Sequence, residues 1–115
     1  MLNRRTIGML CVLAISPAVF AQNEHIKIKN WERGWMTMGN VVWLHADLGN
    51  EAVFLRCDLS NDNCQILVPG NYEVARLIRG EGAYKDCSSV DVYRIGADRL
   101  KEKPLGEYCL EYPQS

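Results

Sequence analysis

Cys57, Cys64, Cys87 and Cys109 carry the clearest chemistry in the chain. An even set of cysteines in a short segment reads as a disulfide framework or as a metal site. Zinc sites use Cys-x-x-Cys pairs or cysteines with histidines close by, and neither pattern occurs here. A catalytic redox couple would also favour a Cys-x-x-Cys pair. Disulfides are therefore expected. Four cysteines allow three connectivities. Cys57 and Cys64 bracket a polar loop and can close it locally. Cys87 precedes one expected strand and Cys109 lies in another, so an antiparallel return is one way to bring those two together. Loops of these lengths are worth about 2.5 and about 3.4 kcal/mol in lost unfolded-state freedom.

Between Cys57 and Cys64, Asp58, Ser60 and Asp62 alternate as oxygens do at the start of a calcium loop. The rest of that pattern is missing, since the sixth position is Asn63 rather than Gly and the twelfth is Pro69 rather than Glu. Asp, Ser and Asn also populate ordinary turns by bonding local backbone, and a polar turn is expected. No metal ligand set and no cofactor are expected.

His25 and His45 fall on different expected strands with no acid placed beside them. Asp47 shares a face with His45, but same-face neighbours stand about 7 Å apart, too far for a relay. No nucleophile elbow, phosphate loop or zinc-protease motif occurs, so no catalytic residue is assigned. Asp91, Glu107 and Glu111 can face one another across the last two strands as a carboxylate set. The preferred reading is a solvated strand face, and the alternative is a small envelope hydrolase using those carboxylates.

The elements that position these residues start with a hairpin. VVWLHADL at 41–48 and EAVFLRC at 51–57 flank Gly49-Asn50, a favoured two-residue turn. That loop opposes Leu48 to Glu51 and puts Ala46–Val53, Leu44–Leu55 and Val42–Cys57 on one face. Trp43–Arg56, His45–Phe54, Asp47–Ala52 and Val41–Asp58 fall on the other. The apolar face is uniform, and a one-residue slip would destroy it. Further strands are expected at 72–79, 89–95 and 105–112, a lysine-bearing edge strand at 25–30, and one helical turn within 97–103. Five to six short antiparallel strands with little helix make a mostly β, disulfide-stabilised small barrel or sandwich.

The mixed hairpin face is the candidate binding surface: Trp43, His45, Phe54 and Arg56. In a two-layer fold a second sheet would cover it, and that reading is preferred. Left uncovered, it is an aromatic patch with a polar rim, the composition of a recognition site.

Residues 1–21 are expected to be a signal peptide. Arg4 and Arg5 precede an apolar run at 7–15, then a Ser16-Pro17 break, then Val19-Phe20-Ala21. The run is shorter than the about 20 residues a membrane span needs. Leu10 before Cys11 does not suit lipidation, and the residues around Arg4-Arg5 suit twin-arginine export poorly. Cleavage after Ala21 leaves residues 22–115 as a single small β domain, secreted or periplasmic. Losing Arg4 and Arg5 leaves 11 basic residues against 14 acids, a net charge of −3. That balance argues against nucleic acid and against a polybasic membrane surface. No membrane anchor remains after cleavage.

Cys57-Asp58-Leu59, Cys64 and Leu67-Val68-Pro69-Gly70-Asn71-Tyr72 together resemble short exported bacterial proteins of unassigned function that carry paired cysteines before a Leu-x-Pro-Gly-x-Tyr turn. The resemblance spans about a seventh of the chain and implies no activity. The expected function is a non-catalytic exported binding or interaction domain with a protein or small-molecule partner. A structural envelope component is a further alternative.

Overall fold

The structure is a computed structural model and describes residues 24–34, 40–78 and 81–113. The expected leader at 1–21 lies outside the described residues. Six strands form the fold: β1 (Glu24–Arg33), β2 (Val41–Leu48), β3 (Glu51–Asp58), β4 (Gly70–Arg76), β5 (Ser88–Tyr93) and β6 (Gly106–Glu111). They close into one antiparallel barrel in the order β1-β2-β3-β6-β5-β4. Of the two expected architectures, the barrel is the one found, so no second sheet lies over the hairpin among the described residues.

Period-two alternation dictates the inside and the outside of this barrel. Ile26 and Ile28, Val42 to Leu48 at every second position, Val53, Leu55 and Cys57 point inward with Val74, Val90, Val92, Tyr108 and Leu110. These side chains fill the interior, and Tyr108 is the largest of the fully buried ones. Its hydroxyl still needs an acceptor once buried, and donates to Gln65 O at 2.6 Å.

The hairpin forms in the expected register from Val41↔Asp58 to Leu48↔Glu51. Gly49 takes φ 62° at the first loop position, which a side chain would resist. The other strands match their expected places with shifted ends: 70–76, 88–93 and 106–111. The expected edge strand at 25–30 is corrected. β1 is longer, and Glu24 to Ile28 pair with β4 while Ile26 to Arg33 pair with β2. Closure of the barrel, a long-range event, removes that edge.

The β3–β4 connection crosses one end of the barrel, with Leu59 and Leu67 packed on the core. Cys57 and Cys64 form a disulfide that ties this crossing to β3, their Cα atoms 5.4 Å apart. Asp58 Oδ1 accepts from Ser60 N and Oγ, so the alternating oxygens serve a local turn. One helical turn forms in the β5–β6 connection, where Glu102 N donates to Asp98 O at 2.8 Å. No helix among the described residues is long and apolar enough to cross a membrane.

Candidate functional site

Trp43 and His45 on β2 alternate outward, as do Phe54 and Arg56 on β3, because Leu44 and Leu55 between them are core. The two facing pairs expected from the sequence, Trp43↔Arg56 and His45↔Phe54, are adjacent on the barrel's outer wall. All four residues are half-buried, and no second sheet lies over them among the described residues. The expected burial under a second sheet is corrected: a sheet that closes on itself leaves its outer wall without one.

Neighbours that sequence reasoning missed hold each polar member. His45 Nε2 lies 2.5 Å from Glu32 Oε1, because β1 brings Glu32 beside Trp43 in the adjoining register. The His45 and Phe54 rings meet edge to face with centroids 4.8 Å apart, a favoured aromatic geometry. Arg56 Nε donates to Glu111 Oε2 at 3.1 Å, and its Nη2 donates to Asp86 Oδ2 at 3.1 Å and to Cys109 Sγ at 3.1 Å. The Arg56 side chain keeps 19% exposure, so its charge is absorbed by these groups.

The segment 81–87 folds back across the outer faces of β5 and β6 and borders the patch. Cys87 and Cys109 form the second disulfide, with Cα atoms 5.7 Å apart, which pins this strap to β6. Ala83 N donates to Glu107 Oε2, and Ser89 Oγ donates to Tyr84 O. Gly82 makes the approach feasible: a Cβ there would stand 2.2 Å from Ser89 Cβ and 2.7 Å from Glu107 Oε2. Tyr84 reaches back to β3, where its hydroxyl accepts from Asp58 N at 3.1 Å. Burial is the larger influence on this phenol and raises its pKa.

The carboxylate set separates. Asp91 stands directly opposite Glu107, but Glu111 is engaged by Arg56 and Glu107 by the strap. Burial, then the charge of Glu107, hold the Asp91 carboxyl above its ordinary range, with Arg99 opposing. His25 finds a distant acid at Glu73, 3.8 Å away, which the sequence did not place. Asp86, Cys87 and Cys109 offer ligand atoms within 4.8 Å of one another, but both sulfurs are consumed by the disulfide. A groove of about 490 Å³ lies along the strap, lined by residues including Tyr84, Lys85, Ser88 and Ser89.

The chain matches no family model, no curated protein and no solved structure. Two disulfides in so small a domain place it in an oxidising environment.

Proposed function

We propose that the chain is an exported, non-catalytic binding domain whose contact face is the outer wall of β2 and β3. The observation that carries this reading is the pairing of Trp43 with Arg56 and of His45 with Phe54 on a wall over which no second sheet lies among the described residues. The filled interior supports it too, because core side chains occupy the volume in which wider barrels hold a ligand. Recognition then falls to the outside. Trp43 and Phe54 supply contact area at low entropy cost, while the contact with Glu32 holds His45 and ion pairs with Asp86 and Glu111 hold Arg56 in place. Export rests on the Arg-led apolar leader at 1–21 and accords with the two disulfides.

The rival reading, a small hydrolase using Asp91, Glu107 and Glu111, has the raised pKa of Asp91 in its favour. Against it, the other two carboxylates already have structural partners, and a hydrolytic pair needs one of them free to take a proton. The deciding experiment captures partners from envelope extract with immobilised wild-type and Trp43→Ala domains, beside a hydrolase activity panel. A specific species held by wild type and lost from Trp43→Ala supports the binding reading. Turnover by the purified domain without a partner overturns it.

A further inference from the structure

The β5–β6 connection is built so that its acids and arginines are used up internally. Arg94 donates to both carboxylate oxygens of Glu102, and Glu102 Oε2 also accepts from Asp98 N at 3.3 Å. Asp98 Oδ1 accepts from Leu100 N at 3.0 Å, while Asp98 O accepts from the amides of Lys101 and Glu102. Arg99 lies over the Tyr93 ring at 5.2 Å and reaches Val74 O at 3.4 Å, fastening the connection to the barrel wall. Gly96 N donates to Glu73 Oε2 at 3.3 Å, a second fastening.

What this network leaves to solvent is a different chemistry. Leu100 is 97% exposed at the turn, and Ile95 and Leu105 stand exposed at the two stems. Lys101 and Lys103 are exposed, and neither has a partner among the described residues. The turn thus presents an aliphatic tip beside two lysines, while its two carboxylates, Asp98 exposed and Glu102 partly so, are held by Arg94 and by local amides.

We propose that this turn docks on the anionic surface of a phospholipid bilayer, Leu100 entering the acyl boundary and Lys101 and Lys103 meeting headgroup phosphates. One protruding side chain is too small a footprint for a stable protein interface, which buries about 800 Å² per partner. A bilayer accepts a lone apolar tip, because insertion needs no complementary surface and nearby cations add attraction to anionic lipid. The contact is weak and reversible, and distinct from the β2–β3 patch. In the barrel order β5 and β4 lie across from β2 and β3, so a docked domain keeps Trp43 and Phe54 on the side away from the fastened connection.

The test is flotation of the disulfide-intact protein with phosphatidylcholine vesicles, with and without phosphatidylglycerol. Wild type is expected to partition onto the phosphatidylglycerol vesicles and to release as salt rises. Leu100→Asp should lose about tenfold or more of that partition, a size set by exchanging an inserted aliphatic group for a charge. Lys101→Gln with Lys103→Gln should lose about fivefold per lysine. Circular dichroism should show both variants folded, and Trp43→Ala should partition as wild type does. Partition no greater than onto phosphatidylcholine alone overturns the proposal, as does equal partition by Leu100→Asp. A concentration-dependent oligomer that Leu100→Asp disperses overturns it in favour of self-association.

Discussion

Arg56 on β3 and Asp86 on the strap, 30 residues apart in sequence, meet at 3.1 Å. The guanidinium also reaches Glu111 and the sulfur of Cys109, so one side chain joins β3, β6 and the strap. The edge of the candidate binding patch is therefore a structural junction as well. Arg56→Ala would remove partners from two acids at once, which makes Trp43 the cleaner probe of recognition.

Strap attachment should depend on Cys87–Cys109. Replacing both by serine removes a cross-link whose loop-closure value is about 3.4 kcal/mol, and measured losses run from about 2 to about 5. Hydrogen exchange should quicken across 81–87 before it quickens in β2. Unchanged exchange in the strap would show that its hydrogen bonds hold it without the disulfide.

Gly82→Ala tests the close approach directly. The added carbon meets Ser89 Cβ, part of a strand that cannot move far, at 2.2 Å. The expected cost is about 1–3 kcal/mol, with faster exchange at Ala83 as its bond to Glu107 breaks. A variant as stable as wild type would mean that the strap does not lie where this packing puts it.

Acid titration should expose Asp91. Its folded pKa is raised, so its contribution to stability is complete below the unfolded carboxyl value and is lost as pH rises through the folded one. Asp91→Asn should therefore melt higher than wild type near pH 7, by less than about 1 kcal/mol, and the advantage should vanish near about pH 3. Glu24, lowered chiefly by its hydrogen bonds from Arg76, works in the other direction and loses its stabilisation as pH falls. No gain from Asp91→Asn at neutral pH would place that carboxylate in solvent.

Export with removal of residues 1–21 predicts a mature chain that begins at Gln22. N-terminal sequencing of protein from the native host would read Gln-Asn-Glu-His, and an intact Met1 would rule out cleavage.

Local chemistry was legible and closure was not. Gly49-Asn50 sets the hairpin register by itself, since a two-residue turn permits one pairing and only that pairing gathers Val42, Leu44 and Ala46 on one face. Four cysteines made a disulfide framework legible but left three connectivities open; Cys57–Cys64 closes a short local loop, whereas Cys87–Cys109 depends on the pairing of β5 with β6. Barrel and sandwich could not be told apart, because that depends on whether β1 meets β4, a contact between segments with no shared turn. For the same reason the four patch residues were named while their partners were not. Glu32 reaches His45 only through the β1–β2 pairing, and Asp86 reaches Arg56 only after the strap folds back. The helical turn at 98–102 was visible, but its consumption of Arg94 and Glu102 was not.

Paired urea unfolding of Trp43→Ala and Leu44→Ala, each variant also assayed for capture of the partner held by wild type, decides whether Trp43 serves recognition or the core. Leu44 is fully buried, so its truncation should cost about 2–5 kcal/mol. Trp43→Ala should cost clearly less, keep the same urea dependence, and lose about 2 kcal/mol or more of partner binding. If Trp43→Ala unfolds as readily as Leu44→Ala, or stays folded and still captures the partner, the outer wall of β2 and β3 is not the binding face.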